Sequence, residues 1–231
     1  PFLVNAVAAD AITAQELDLK RSLRDLAVGE EHLFVTDVRG VTILNLSDLS
    51  MIGTWQGPKA KGADRVAVCK SHICVSRRKT TSLSIVDVGR PHNPKLMATL
   101  KTEAPITDMS ADGPFVYMAL GKAGIRVLDL SNPLHPSLLT TIETPDEARR
   151  LSVSDRYLAV ASEKHVHLYE RPHAGRTATC VASLPVKRTP AFLRLYAGHL
   201  WLQVSANSPV YVWAVHRPNE VTLLGTYPLD P

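Results

Sequence analysis

The chain repeats itself, and that recurrence limits its fold more than any other feature. Leu83–Gly89 reads Leu-Ser-Ile-Val-Asp-Val-Gly, and Ile125–Ser131 reads Ile-Arg-Val-Leu-Asp-Leu-Ser 42 residues later. Weaker copies stand at Val41–Ser47, Val166–Tyr169 and Val210–Val215. Ile43, Ile85, Val127, Leu168 and Val212 fall at equivalent places, in steps of 42, 42, 41 and 44 residues. In the third unit four short segments rich in Val, Ile, Leu and Thr can be read: Ile106–Ala111, Phe115–Leu120, Gly124–Ser131 and Ser137–Thr144. Each is bounded by turn residues such as Ala111-Asp-Gly-Pro114, Gly121-Lys-Ala-Gly124 and Asn132-Pro-Leu-His-Pro136. A period near 40 residues with four strands per unit predicts an all-β chain, a β-propeller of four-stranded antiparallel blades. Five full units are expected, over 21–60, 61–103, 104–146, 147–188 and 189–231, with a partial unit at 1–20. In that partial unit Ala8–Leu19 can be read as a short helix, or Phe2–Val7 and Ile12–Leu19 as a strand pair.

The segments Leu83–Val88, Arg126–Pro133 and Leu151–Ala161 resemble the LVIVD-type repeat, named for a strand ending in Asp and followed by a Ser-Asp/Asn-Pro turn. Asn45 replaces the Asp in the first unit, and Glu170 and Ala214 stand near its place in the fourth and fifth. The resemblance implies a propeller related in shape to WD-repeat proteins, and it brings no catalytic residues. The Gly-His and Trp-Asp signatures of true WD repeats are absent. Asp87 and Asp129 are expected to accept hydrogen bonds from the backbone of the turns that follow them.

A chain of 231 residues with 45% hydrophobic content can bury a large core as one domain. No run reaches the length of a membrane span. The first ten residues lack the basic region of a signal peptide. Cys69, Cys74 and Cys180 have no metal-ligand spacing and read as buried, reduced thiols. These features point to an intracellular, cytoplasmic protein, with secretion as the alternative. Ring closure stays open between a five-bladed ring carrying an extra N-terminal strand pair and a larger ring completed by another chain. An uncovered strand edge invites a partner or a second copy.

The charge pattern carries the functional expectation. The net charge is +4. By analogy with propellers, the links expected on one face contain Lys59, Lys61, Arg65, Arg77, Arg78, Lys79, Lys122, Arg149, Arg150, Lys164, Lys187, Arg188 and Arg194. Fewer acids stand there: Asp64, Glu103, Asp108, Asp146, Glu147 and Glu163. A one-sided positive field attracts anionic partners. Asp25, Arg65, Asp108, Arg150 and Arg194 recur before the central apolar residue of each first strand. They are read either as an inter-blade ion-pair network or as a mouth where Arg150 and Arg194 grip a carboxylate or phosphate.

His92, His135, His173 and His216 recur in turns between third and fourth strands, too far apart for one ion, so no metal and no cofactor is expected. No nucleophile elbow, phosphate-binding loop or HExxH stands in the sequence. Asp37 and Asp108 are the one candidate carboxylate pair for sugar hydrolysis. With 6% aromatic residues there is little to stack sugars or bases, and Trp55, Trp201 and Trp213 read as packing residues. The expectation is a non-catalytic scaffold binding another macromolecule through Arg65, Arg77, Arg78, Lys79, Arg149, Arg150 and Arg194. An acidic protein segment is the first ligand and RNA phosphate the second. A glycosidase or lyase acting on an anionic or sugar substrate is the alternative.

Overall fold

The computed structural model describes residues 3–8, 11–16, 23–57, 62–171, 178–217 and 220–228, the side chains of 3–8, 11–16, 216 and 217 excepted. All regular structure in them is strand. A hairpin of β1 (Leu3–Ala8) and β2 (Ala11–Glu16) comes first. Five four-stranded antiparallel sheets follow, each a run of neighbours in chain order. The first holds β3 (Asp25–Val28), β4 (His32–Thr36), β5 (Val41–Asn45) and β6 (Met51–Trp55). The second holds β7 (Arg65–Cys69), β8 (His72–Ser76), β9 (Ser82–Asp87) and β10 (Lys95–Lys101). The third holds β11 (Asp108–Asp112), β12 (Phe115–Ala119), β13 (Ile125–Asp129) and β14 (Ser137–Ile142). The fourth holds β15 (Arg150–Val153), β16 (Tyr157–Ala161), β17 (His165–Glu170) and β18 (Cys180–Pro185). The fifth holds β19 (Phe192–Tyr196), β20 (His199–Gln203), β21 (Val210–Arg217) and β22 (Glu220–Tyr227). Within its described residues the Ala8–Leu19 segment is strand rather than helix. None of the described residues forms a helix that could cross a membrane.

The chain divides into two compact units: 1–78 with 82–100, and 79–81 with 101–231. In the first unit the facing sides of the first two sheets share one core. Phe34, Ile43 and Trp55 of the first pack on Val66, Ile73 and Val86 of the second. In the second unit the fourth sheet lies between two others. Leu158 and Val160 of β16 pack with Tyr117 and Val127 of the third sheet. Tyr157, Ala159 and Ala161, on the other face of the same strand, pack with Leu193 and Leu200 of the fifth. That is why β16 reads Tyr-Leu-Ala-Val-Ala with every residue buried. A strand covered on both faces needs no polar alternation.

One irregularity repeats with the sequence. The third-to-fourth strand register shifts between Ile43 and Leu44, Val127 and Leu128, Leu168 and Tyr169, and Val212 and Trp213. Each shift falls at the repeat's equivalent position and leaves one extra residue on the outer strand: Ile52, Leu139, Val181 or Leu224. A bulge of this kind bends its strand and steepens the right-handed twist. Gly53 stands beside the first of them, where a Cβ would collide with the carbonyl oxygen of Pro91 in the next sheet's outer turn.

The cysteines depart in part from expectation. All three are free, and Cys69 and Cys74 are buried, but Cys180 is exposed. It opens an outer strand whose alternate residues face outward. Burial raises the Cys74 thiol well above its ordinary range.

Candidate anion-binding site

A cation-rich surface of the first unit forms around the start of β7 and the end of β8. Asp25 aligns these strands: its Oδ2 accepts the backbone N–H of Val66 at 3.0 Å, tying β3 to β7. Asp64, 11% exposed at its side chain, is the hub. Its Oδ1 accepts the Arg24 guanidinium, and its Oδ2 accepts the backbone N–H of Arg78 at 2.8 Å. The buried carboxylate therefore fixes both a guanidinium and the turn leaving β8. Arg65 turns back so that its Nη1 donates to the Asp64 carbonyl at 3.0 Å. Arg24, Asp64, Arg65 and Arg78 line a cavity of about 310 Å³. Three arginines and one aspartate thus line it, and the aspartate's carboxylate is already engaged. Arg77, Arg78 and Lys79 follow in sequence, all exposed. Lys79 takes a left-handed backbone, φ 63°, which closes the turn.

The other predicted cations stand in different surroundings. In the second unit Arg149 donates to Glu147 at 3.2 Å and pairs with Glu163 at 2.8 Å. Lys122 lies 3.7 Å from Glu147, and Arg126 pairs with Glu103. Much of the positive charge read from these links is thus matched locally by acids. Arg150 opens β15, half-buried, opposite Ala161, and Arg194 lies exposed in β19 opposite Trp201. Lys59, Lys61 and His173 lie outside the described residues, as does the side chain of His216.

The recurring acids of the first strands bind backbone. Asp108 Oδ2 accepts the Leu151 N–H at 3.0 Å, the counterpart of Asp25 and Val66. At the next junction Ser152 Oγ accepts the Leu195 N–H at 2.9 Å. Side-chain oxygens on first strands thus clasp amides of the following sheet. Asp37 also serves the backbone, its Oδ1 accepting the N–H groups of Arg39 at 2.6 Å and Gly40 at 3.1 Å. Trp55 is buried in the first unit's core, and Trp213 packs against the core of the fourth and fifth sheets.

Sequence reasoning missed two features. Arg24 precedes its strand outside the links read as basic, and only the fold brings it to Asp64. The sequence reading also passed over His165 and His167, attending to histidines in turns. Two histidines spaced i, i+2 in a strand share one face, and that spacing was the available signal. Asp146 holds both from the preceding link, and His165's hydrogen bond, the largest influence, draws its carboxyl below the ordinary range.

With this geometry in place, comparison with known proteins bears on the repeat. Residues 106–144 match the LVIVD repeat. They span the whole third sheet, including the Asp129 turn. No curated protein matches the chain. Among solved structures, the fold is that of β-propeller proteins. A nidogen/laminin complex contains a chain similar at TM-score 0.70 and 11% identity, with 98% of this chain and 89% of that one covered. A chain of the mitotic checkpoint complex is similar at TM-score 0.68 and 14% identity, with 96% and 73% covered. The computationally designed Ika8 protein is similar at TM-score 0.65 and 13% identity. That likeness covers 89% of this chain, which spans 61% of the designed one.

Proposed function

We propose that this protein is a non-catalytic β-propeller that binds an acidic segment of another protein through the basic surface formed by Arg24, Arg65, Arg77 and Arg78, with Lys79 in the same turn. The observation that carries the reading is the engagement of Asp64. Asp64, the acid that lines the cavity with three arginines, is held by Arg24 and by the Arg78 amide, so the lining keeps a net positive field for a partner's carboxylates. Guanidinium forks suit carboxylates because two parallel N–H donors meet two oxygens. The loop-on-rigid-sheet arrangement holds such donors in place without ordering them anew at each encounter. Two of the similar solved structures are of multiprotein complexes, which agrees with a propeller serving as a platform.

The test is equilibrium binding of a fluorescent Asp/Glu-rich peptide and of a single-stranded RNA of equal charge, over a salt series. Saturable peptide binding that weakens with salt and exceeds RNA binding supports the reading. Tighter RNA binding moves the partner to nucleic acid, where affinity is carried by phosphate contacts and is also salt-dependent. Absence of both means that the surface is an ordinary solvated one.

A further inference from the structure

Asp146, His165 and His167 converge in the second unit. His165 and His167 project from one face of β17, and Asp146 reaches them from the link before β15. His165 Nδ1 lies 3.0 Å from Asp146 Oδ2, and His167 Nε2 lies 3.5 Å from the same oxygen. One ligand atom from each residue falls within 4.8 Å of the others. The imidazole centroids are 5.4 Å apart. The His167 side chain is only 8% exposed, and its buried Nε2 meets the Asp146 carboxylate only at 3.5 Å, too long for a good hydrogen bond. A buried ring nitrogen of this kind calls for an explanation, because burying a polar atom without a partner is costly.

The neighbouring repeat shows what a purely structural solution looks like. In the third sheet Arg126 holds the place of His167 and pairs with Glu103, a link acid one residue before the counterpart of Asp146. Arg126 directs a further N–H to the Ala123 carbonyl at 2.9 Å. In the fourth sheet His167 stands where Arg126 does, and His165 stands where the third sheet has Gly124. Both links thus carry an acid, at adjacent rather than identical places, while the fixed cation gives way to two imidazoles.

We propose that Asp146, His165 and His167 form a binding site for a divalent transition-metal ion of the zinc class. Four-coordinate zinc takes nitrogen at about 2.0–2.1 Å and carboxylate oxygen at about 2.0–2.2 Å, which places tetrahedral ligand atoms roughly 3.3 Å apart. The separations of 3.0 and 3.5 Å from Asp146 Oδ2 bracket that figure. The ion would take Oδ2 and the two ring nitrogens and leave a fourth position for water. Ser162, whose Oγ lies 3.2 Å from Oδ2, would orient the carboxylate. Two imidazoles and one carboxylate favour zinc, copper or nickel and disfavour calcium and magnesium, which prefer all-oxygen sets.

The experiment titrates chelator-treated protein with Zn²⁺ by calorimetry and with Co²⁺ by visible absorption. One ion per chain is expected, with a cobalt d–d band in the tetrahedral range and no competition from millimolar Mg²⁺. His165→Gln and Asp146→Asn, whose side chains are partly exposed, should each weaken Zn²⁺ binding at least about tenfold, the lower end of losses seen when even outer-shell groups are removed. Ser162→Ala should weaken it less. His199→Gln, at a distant histidine, should leave it unchanged. Folding of each variant is checked by circular dichroism, and should His167→Gln fail to fold, the two partly exposed positions still decide the matter. Weak zinc binding that is equal in wild type, His165→Gln and Asp146→Asn overturns the site. So does an absence of binding to the wild type.

Discussion

Asp129 accepts the Ser131 N–H at 2.7 Å, Asp87 accepts the Gly89 N–H at 2.8 Å, and Asn45 accepts the Ser47 N–H at 2.8 Å. The repeat thus uses a short side-chain acceptor to close its third-strand turn, and either residue type serves. Asp129→Ala should cost about 0.5–2 kcal/mol, as other lost caps do, read as a lower melting temperature. Asp129→Asn should cost less, since Asn45 performs the same task. The Ser131 hydroxyl first, and its amide second, hold the Asp129 carboxyl below its ordinary value of 3.8. A carboxyl whose folded pKa is depressed contributes stability that is present above 3.8 and fades as the pH falls through the lowered value. The gap between wild type and Asp129→Asn should therefore close under acid, and a gap that widened there would contradict the assignment. Tyr169 gives a second residue-scale test. Burial, with lesser contributions from Cys180 and Asp146, pushes its hydroxyl up to about 12, and the buried oxygen has no hydrogen-bond partner. Tyr169→Phe removes an unsatisfied group and should be neutral or stabilising in urea unfolding. A loss above about 1 kcal/mol would mean that the hydroxyl has a partner in solution.

Strands and turns were legible because each unit writes the same alternation between the same turn residues. The strands of the third unit were read within two residues of their observed ends, and Asp129 was placed correctly in its turn. The bulges were not legible. Ile52, Leu139, Val181 and Leu224 are ordinary strand residues, and nothing local marks them as the extra one. The shift is imposed by twist across the whole sheet. The clasps between sheets were half legible. Asp25 and Asp108 stood out by recurrence and their charge suggested arginine partners, but it gave no hint of the backbone amides of Val66 and Leu151 that they accept. Amides carry no sequence signal. The surface balance was harder still, since Glu147 and Glu163 reach Arg149 only once the links are folded. Asp108→Ala should leave the Leu151 N–H without this acceptor and lower stability by about 1–3 kcal/mol, read as a lower urea midpoint. Asp108→Asn, which keeps a carbonyl oxygen, should recover part of it. Equal midpoints for all three proteins would show that the clasp contributes nothing.

For the whole molecule, a repeated sheet gives a rigid support on which links can vary, and one of those links concentrates charge. Arg77, Arg78 and Lys79 are consecutive and exposed, and the Asp64 bond to the Arg78 amide pins the turn beside the Arg24 and Arg65 guanidinium groups. Exposed charge pairing is screened by salt. Reversal of all three as Arg77→Glu/Arg78→Glu/Lys79→Glu should therefore abolish acidic-peptide binding at low salt while leaving circular dichroism unchanged. Lys79 also offers a direct view of where a partner sits. A zero-length carbodiimide crosslinker joins a carboxylate to a lysine only when the two touch, and Lys79 is the amine within this arginine-rich turn. The decisive measurement is mass-spectrometric mapping of crosslinks between the wild-type protein and an Asp/Glu-rich peptide. The account predicts that Lys79 is the dominant site and that Arg77→Glu/Arg78→Glu suppresses it. Crosslinks spread evenly over Lys70, Lys95, Lys122 and Lys164, unchanged in that variant, would contradict it.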